Sequence, residues 1–239
     1  MFETLRRKLA QIVRENELGS EEVTIRAFPL SPKEAIGTPE ERDYPLIKGR
    51  ERLMQAEFKG AKGQAYTDMY GDFSGKLTEV LEMELGDNFR RAVFISTLNA
   101  VMRHLGLVSK TIHCKDQEPR RCAEELVRYL QEKYCEPKVA LVGFQPRMAE
   151  ALSQRFKLRI TDLDEQNIGQ ERFGVRICGP EKTQENLKWC DLALVTGTTL
   201  VNGTLPQFLD LPKPVVLYGV TIAGAAKLLG LERFCPLSH

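Results

Sequence analysis

The sequence predicts an α/β protein: an N-terminal α+β domain over residues 1–110, then a C-terminal Rossmann-like parallel-sheet domain over residues 111–239. Three observations predict it. After Pro137, near-continuous apolar runs alternate with helical spacing, and strands apolar on both faces belong in a parallel sheet covered by helices. Before Leu105, strand patterns precede a pair of helices, an α+β order. With 239 residues, 42% hydrophobic and 28% charged, the chain can bury a sizeable core without disulfides or a structural metal.

The elements follow from local pattern. Phe2, Leu5, Leu9, Ile12 and Val13 share one face of a helix over residues 2–18, with Gly19 as its stop. Val23–Phe28 alternates as a strand. Pro29–Pro45, punctuated by Pro32, Gly37 and Pro39, reads as an exposed excursion. Arg52–Thr67 gives two strands with a bend marked by Gly60 and Gly63. Helices are expected at Leu77–Leu85 and Phe89–Leu105, the second capped by Gly106. Residues 107–118 form the interdomain connection, and Pro119 opens a helix running to about Tyr134. Strands then fall at Lys138–Gly143, Leu158–Leu163, Asp191–Thr196 and Pro214–Tyr218. Helices fall at Pro146–Phe156, Thr183–Lys188 and Ile222–Leu229.

Charge narrows the function classes. The net charge of +1 is balanced in both halves, so no nucleic-acid partner is expected. No apolar run approaches the roughly 20 residues of a membrane helix. Met1–Asn16 lacks an apolar signal core, which predicts a cytoplasmic location without membrane association. Cys114, Cys122, Cys135, Cys178, Cys190 and Cys235 form no C-x-x-C pair and read as free thiols.

In an open parallel sheet, ligands bind beyond the carboxyl ends of the strands. Four such ends carry the candidate site. Gly143 permits a tight turn before the helix at Pro146, but Phe144 and Gln145 stand where a dinucleotide needs glycine, so a standard NAD site is not expected. Asp162 lies 19 residues after Gly143, where Rossmann-like folds hold a ribose hydroxyl. That position suits a nucleotide or S-adenosylmethionine; Asp162 and Asp164, followed by Asn167, equally suit turn caps. Thr196, Gly197, Thr198, Thr199, Asn202, Gly203 and Thr204 offer small hydroxyls and free N–H groups to an anion. Gly219 and Gly224 allow close backbone approach, and Thr221 suits a helix cap.

Other clusters stay open. His113, Cys114, Asp116, Glu118 and Cys122 fall close together without any standard zinc spacing. Gln64, Thr67 and Asp68 sit at a polar strand end. Asn99 and Arg103 share one face of an apolar helix, where a buried pair needs polar partners. No G-x-S-x-G or P-loop is present.

Several blocks together resemble the putative heavy-metal chelation family. They are Gly60-Ala61-Lys62-Gly63-Gln64-Ala65-Tyr66-Thr67-Asp68, Leu98-Asn99-Ala100-Val101, Thr111-Ile112-His113-Cys114, Asp162-Leu163-Asp164 with Asn167-Ile168-Gly169, Thr196–Thr199 with Val201–Thr204, and Tyr218–Thr221 with Phe234-Cys235-Pro236. The resemblance implies an enolase-N-terminal-like domain ahead of the Rossmann-like one, with a site between them. Carried over by position, Lys62, Gln64, Thr67, Asp68, Asn99, Asp162, Asn167, Thr198, Asn202, Thr204 and Thr221 are its candidates.

The leading expectation is therefore a small-molecule protein, an enzyme of metal-chelator or cofactor metabolism, binding an anionic or nucleoside-like ligand in an interdomain cleft. Gly143, Gln145, Asp162, Asn167, Thr196, Gly197, Thr198, Asn202, Thr204, Gly219 and Thr221 would hold the ligand. Asp68, Lys62 and Asn99 would close the site, with Asp68 or Asp162 as general base. No resident cofactor is assigned. The rival readings are a metal or metal-chelate carrier using Cys114, His113 and Cys122 or Cys235, and a non-catalytic interaction protein. Homo-oligomerisation stays open.

Overall fold

The computed structural model describes residues 1–18, 24–48 and 51–239. Its first sheet is antiparallel, with strand order β3-β2-β1-β4. The strands are β1 (Thr24–Pro29), β2 (Arg52–Phe58), β3 (Ala61–Thr67) and β4 (Phe73–Lys76). Around it lie α1 (Phe2–Glu15), α2 (Pro32–Ile36), α3 (Pro45–Lys48), α4 (Leu77–Glu82) and α5 (Asn88–His104). Helix α1 buries Leu5, Leu9 and Val13, the stripe its spacing predicts. Gly19, expected as its stop, and Val23, expected in β1, lie outside the described residues.

The second sheet holds β5 (Val139–Val142), β6 (Leu158–Thr161), β7 (Glu171–Arg172), β8 (Val175–Cys178), β9 (Leu192–Thr196), β10 (Val215–Tyr218) and β11 (Arg233–Phe234). Its order is β11-β10-β9-β5-β6-β8-β7. Every pairing is parallel except β7 with β8. Helices α6 (Glu118–Tyr134), α7 (Pro146–Ser153), α8 (Thr183–Trp189), α9 (Thr198–Val201) and α10 (Ala223–Leu229) connect and cover it. Taken in chain order, the parallel strands run 3-2-1-4-5-6, the doubly wound arrangement. The order reverses between β5 and β9, which creates a crevice at their carboxyl ends. The expected strands β5, β6, β9 and β10 are all present. The short β7, β8 and β11 were not expected: β7 and β11 are two residues each, and Arg176 interrupts the apolar run of β8.

Helix α5 joins the two halves. Every residue from Ala92 to Met102 is buried, so its apolar pattern shows no face. One apolar cluster runs from Leu5 and Phe58 through Phe94 and Leu98 to Val195 and Ala225. Fully burying a side chain of this size stabilises by roughly 1.5–3 kcal/mol, so this shared core dominates the joint. Residues 107–118 do connect the sheets, but they are packed into the seam. Thr111 is fully buried and accepts the Gln64 N–H through its carbonyl (3.2 Å), while Ile112 pairs with His239 in both directions (2.8 and 2.9 Å).

Two expectations need correcting. The Pro29–Pro45 stretch is not an exposed excursion. A capping box between Ser31 and Glu34 starts α2, and Leu30, Ile36, Tyr44 and Leu46 pack on Leu53 and Val220. Polar spacing hid this strap because its apolar residues are few and aperiodic. Buried Arg147 on α7 clamps it through Asp43 (2.7 Å) and Glu41 (3.5 Å), and Arg120 on α6 also pairs with Glu41. Second, the β2–β3 bend lies at Lys59-Gly60, both at positive φ, whereas Gly63 is within β3. A Cβ there would come within 2.3 Å of the Ala100 nitrogen and the Ser96 oxygen on α5. Glycine is needed for helix and strand to touch.

The Gly63→Ala variant is therefore expected to lose about 3 kcal/mol of stability by overpacking, read as a lower urea midpoint with an unchanged slope. Wild-type stability would mean that α5 can shift freely away from β3.

Candidate functional site

A cavity of about 220 Å³ opens at the carboxyl ends of β5, β6, β9 and β10. Gly143, Gln145, Asp162, Asn167, Thr196, Gly197, Thr198, Asn202, Thr204, Gly219 and Thr221 all line it. The strap supplies Ile36, Tyr44 and Leu46, the first sheet Glu51 and Tyr66, and the seam His113 and Cys114.

The walls are fixed by short bonds. At the switch point Gly143 has φ +88, and a Cβ on it would lie 2.6 Å from Thr196 Cγ2. The Tyr218 hydroxyl donates to the Gly143 carbonyl (2.7 Å), tying β10 to the β5 loop. Asp162 accepts the Phe144 N–H (2.7 Å) on one oxygen and the Asp164 N–H (2.8 Å) on the other. Asn167 Nδ2 lies 3.5 Å from the first of these. Gln145 accepts the Met148 N–H (2.6 Å) and caps α7. Thr196 Oγ1 accepts the Thr198 N–H (3.3 Å), and the Thr199 hydroxyl donates to the Thr196 carbonyl (2.6 Å). Thr204 donates weakly to the Thr199 carbonyl (3.4 Å). Thr221 does not cap α10. Its hydroxyl accepts the Tyr66 N–H (2.9 Å), bridging the two sheets.

The three residues expected to close the site stand off the cavity. Asn99 is fully buried: Nδ2 faces the Gln64, Val220 and Thr221 carbonyls (2.9, 3.2 and 3.2 Å), and Oδ1 accepts the Gly224 N–H (2.8 Å). No atom of its carboxamide is left for a ligand. Lys62 is exposed and pairs with Glu57 (3.7 Å). Asp68 is exposed at the rim, where Asn88 donates to it (2.7 Å) and lies 3.5 Å from Asn202 Oδ1. Gln64 and Thr67 are buried on internal bonds, Gln64 to Gln55 (2.9 Å) and Thr67 to the Met69 carbonyl (2.9 Å).

The cavity's chemistry rests on a residue that sequence reasoning missed. Glu51 precedes β2, and its carboxyl makes no hydrogen bond or ion pair with a described residue. Desolvation first, then the charges of Asp162, Asp164 and Asp68, push it up to about 7. One acid ahead of an apolar strand gives no sequence signal, because its neighbours come from distant loops. Burial also raises Asp162, and holds Tyr66 and Tyr218 well above the ordinary tyrosine range. His113 is pushed down to about 4 by burial, and its Nδ1 contacts the Cys114 carbonyl (2.6 Å).

Cys114, Cys122, Cys235 and His113 do share the cavity wall, as the metal-carrier reading requires. They do not fit a metal. Among the described residues no three His, Cys, Asp or Glu side chains are grouped to hold an ion. Desolvation raises Cys122 to about 12 and Cys114 further, disfavouring the thiolates that a soft metal binds. No described helix is long and apolar enough to cross a membrane.

Fold and site define an α/β protein with a doubly wound sheet and a cavity at its switch point. Within that class, residues 126–231 match the family model DUF364, described as "Putative heavy-metal chelation". Two solved structures share the fold. One is a protein of unknown function from the DUF364 family of Pyrococcus horikoshii, at 17% identity and TM-score 0.53, covering 91% of this chain and 78% of that one. The other is a DUF364 protein of unknown function from Desulfitobacterium hafniense DCB-2, also at 17% and 0.53, covering 74% and 72%. No curated protein matches the chain.

Two half-buried groups give opposite pH responses. Glu51 keeps its proton up to about 7 when folded against an ordinary 4.5, so stability falls as pH rises through that window. His113 resists protonation down to about 4 against 6.5, so its contribution is lost as pH falls through that window. Glu51→Gln is therefore expected to stabilise the protein at about pH 8 by on the order of 2 kcal/mol, with no gain below about pH 4.5. Urea melts at the two pH values check this. Equal stability at both would show that Glu51 is well solvated.

Proposed function

We propose that the cavity binds a nucleoside-like small molecule, with Asp162 taking its ribose hydroxyls. The observation that carries this reading is the convergence of four strand-end loops at the switch point, with Asp162 among them. Asp162 follows β6, the second strand of the doubly wound order, and stands where such folds hold a ribose. Each of its oxygens accepts one backbone N–H, which orients the group; Oδ1 keeps a further lone pair for a hydroxyl, and Oδ2 is also approached by Asn167 Nδ2. Thr196, Thr198, Asn202 and the Gly219 backbone would line the remainder of the ligand.

The anionic alternative is dropped. The described lining contains Glu51, Asp162 and Asp164 and no lysine or arginine, so a phosphate would meet repulsion. As an enzyme, the protein would use Asp162 or Glu51 as its base, since Asp68 is exposed and Lys62 and Asn99 stand off the cavity. S-adenosylmethionine, a nucleoside without phosphate, fits this lining better than a nucleotide does.

Adenosine is expected to raise the melting temperature of the full chain. Asp162→Asn should weaken adenosine binding on the order of tenfold by calorimetry, with the circular dichroism spectrum retained. Unchanged affinity in that variant would end the ribose reading.

A further inference from the structure

We infer that the cavity selects a positively charged ligand, a nucleoside-like molecule whose ammonium or sulfonium group sits between Glu51 and the Asp162–Asp164 turn. For the body of that ligand the inference rests on the function proposed above; for the charge it rests on separate observations.

The first is the state of Glu51. The other nearby acids have partners. Asp162 holds the Phe144 and Asp164 N–H groups, Asp164 accepts the Gln166 N–H (2.9 Å), and Asp68 accepts from Asn88 (2.7 Å). Glu51, half-buried in the cavity wall, carries a carboxyl with no partner among the described residues. An ionised carboxyl in such a place is costly without a partner, so it either keeps its proton or pairs with a cation that enters the cavity.

The second is that the described lining supplies no cation. No lysine or arginine is among the described lining residues. Arg52, next in the chain, turns Nη1 to the Glu51 carbonyl (3.0 Å) and stacks on Tyr70. Arg147 lies behind Tyr44 and is already neutralised by Asp43 and Glu150 (2.7 Å each). The third is the aromatic lining. Tyr44, Tyr66, Phe144, Phe208 and Tyr218 present rings to the same space, and ring faces attract cations.

Binding then carries a proton signature. Glu51 holds its proton up to about 7, first because it is desolvated and then because it faces Asp162, Asp164 and Asp68. Tyr66, Tyr218 and His113, the other titratable groups around it, are held uncharged there by burial. A cation replaces that proton: Glu51 becomes a carboxylate paired with the ligand, and one proton leaves to solvent.

The test uses the full chain and three matched probes: adenosine, 5′-amino-5′-deoxyadenosine and adenosine 5′-monophosphate. By calorimetry the amine is expected to bind on the order of tenfold tighter than adenosine, and the phosphate more weakly than both. The advantage of the amine should grow between about pH 6 and about pH 8. Glu51→Gln should level the amine with adenosine while adenosine binding persists. If adenosine binds and the amine binds no tighter, or the phosphate binds tightest, the charge inference is overturned and the nucleoside reading survives. If no nucleoside binds, that reading fails, and 2-phenylethylamine against 2-phenylethanol decides the charge alone. A preference for the amine that Glu51→Gln removes keeps the inference, and an equal or absent response overturns it.

Discussion

Asn99 lies midway along α5 and uses its whole carboxamide to join the antiparallel sheet to the parallel one. Nδ2 reaches Gln64 of β3 and the Val220 and Thr221 carbonyls after β10, and Oδ1 holds the Gly224 N–H at the start of α10. The fit is tight. A Cβ on Gly224 would lie 2.9 Å from Asn99 Oδ1, just as one on Gly63 would strike the backbone of α5. Removing such a group would leave several buried polar atoms unsatisfied, at about 1–3 kcal/mol each. This junction fixes where β2 and β3 end relative to β10. Tyr66 can then give its N–H to Thr221, and Glu51 can face Asp162 from the other sheet.

A second constraint acts from the opposite side of the cavity. Arg147 is buried, stacked between the rings of Tyr44 and Phe173, and paired with Asp43, Glu41 and Glu150. A guanidinium presents a rigid fork, so one side chain can hold the strap, α7 and the β7 region together. Its charge is balanced by these acids before it reaches the cavity. The strap therefore closes the cavity with the faces of Tyr44 and Leu46 without adding positive charge to it. Geometry is set by ion pairs outside the site, and the field inside is left to Glu51, Asp162 and Asp164.

The parallel half was legible because its strands are continuous apolar runs and its helices carry ordinary punctuation. Gly143, Asp162, Thr196 and Gly219 were found by one rule, that ligands collect at strand carboxyl ends, and all four line the cavity. Residues whose role depends on a neighbour far along the chain were not legible. Asn99 reads as a candidate functional group because a polar residue on an apolar helix needs partners. Only the fold shows that those partners are backbone groups 35 and 121 or more residues away. Gly63 reads as a bend from composition, yet it is a contact. The strap reads as exposed because its burial comes from Leu53 and Val220, not from any period of its own. Glu51 has no sequence signature at all, since its character comes from desolvation and from acids that follow β6 and β3.

That asymmetry bears on what the cavity is for. Where local preference and global fold agree, each buried group finds a partner and its pKa stays ordinary; the exceptions concentrate at functional positions. In this chain Asn99 and Thr221 spend their polar atoms on the joint between the sheets, whereas the cavity beside it holds a Glu51 carboxyl with no partner among the described residues. A fold able to satisfy a buried carboxamide with four backbone groups could equally have supplied a lysine or a backbone N–H to Glu51. The absence of such a partner among the described residues therefore points to a counter-charge that arrives from outside, and it separates this pocket from a mere packing defect between two sheets.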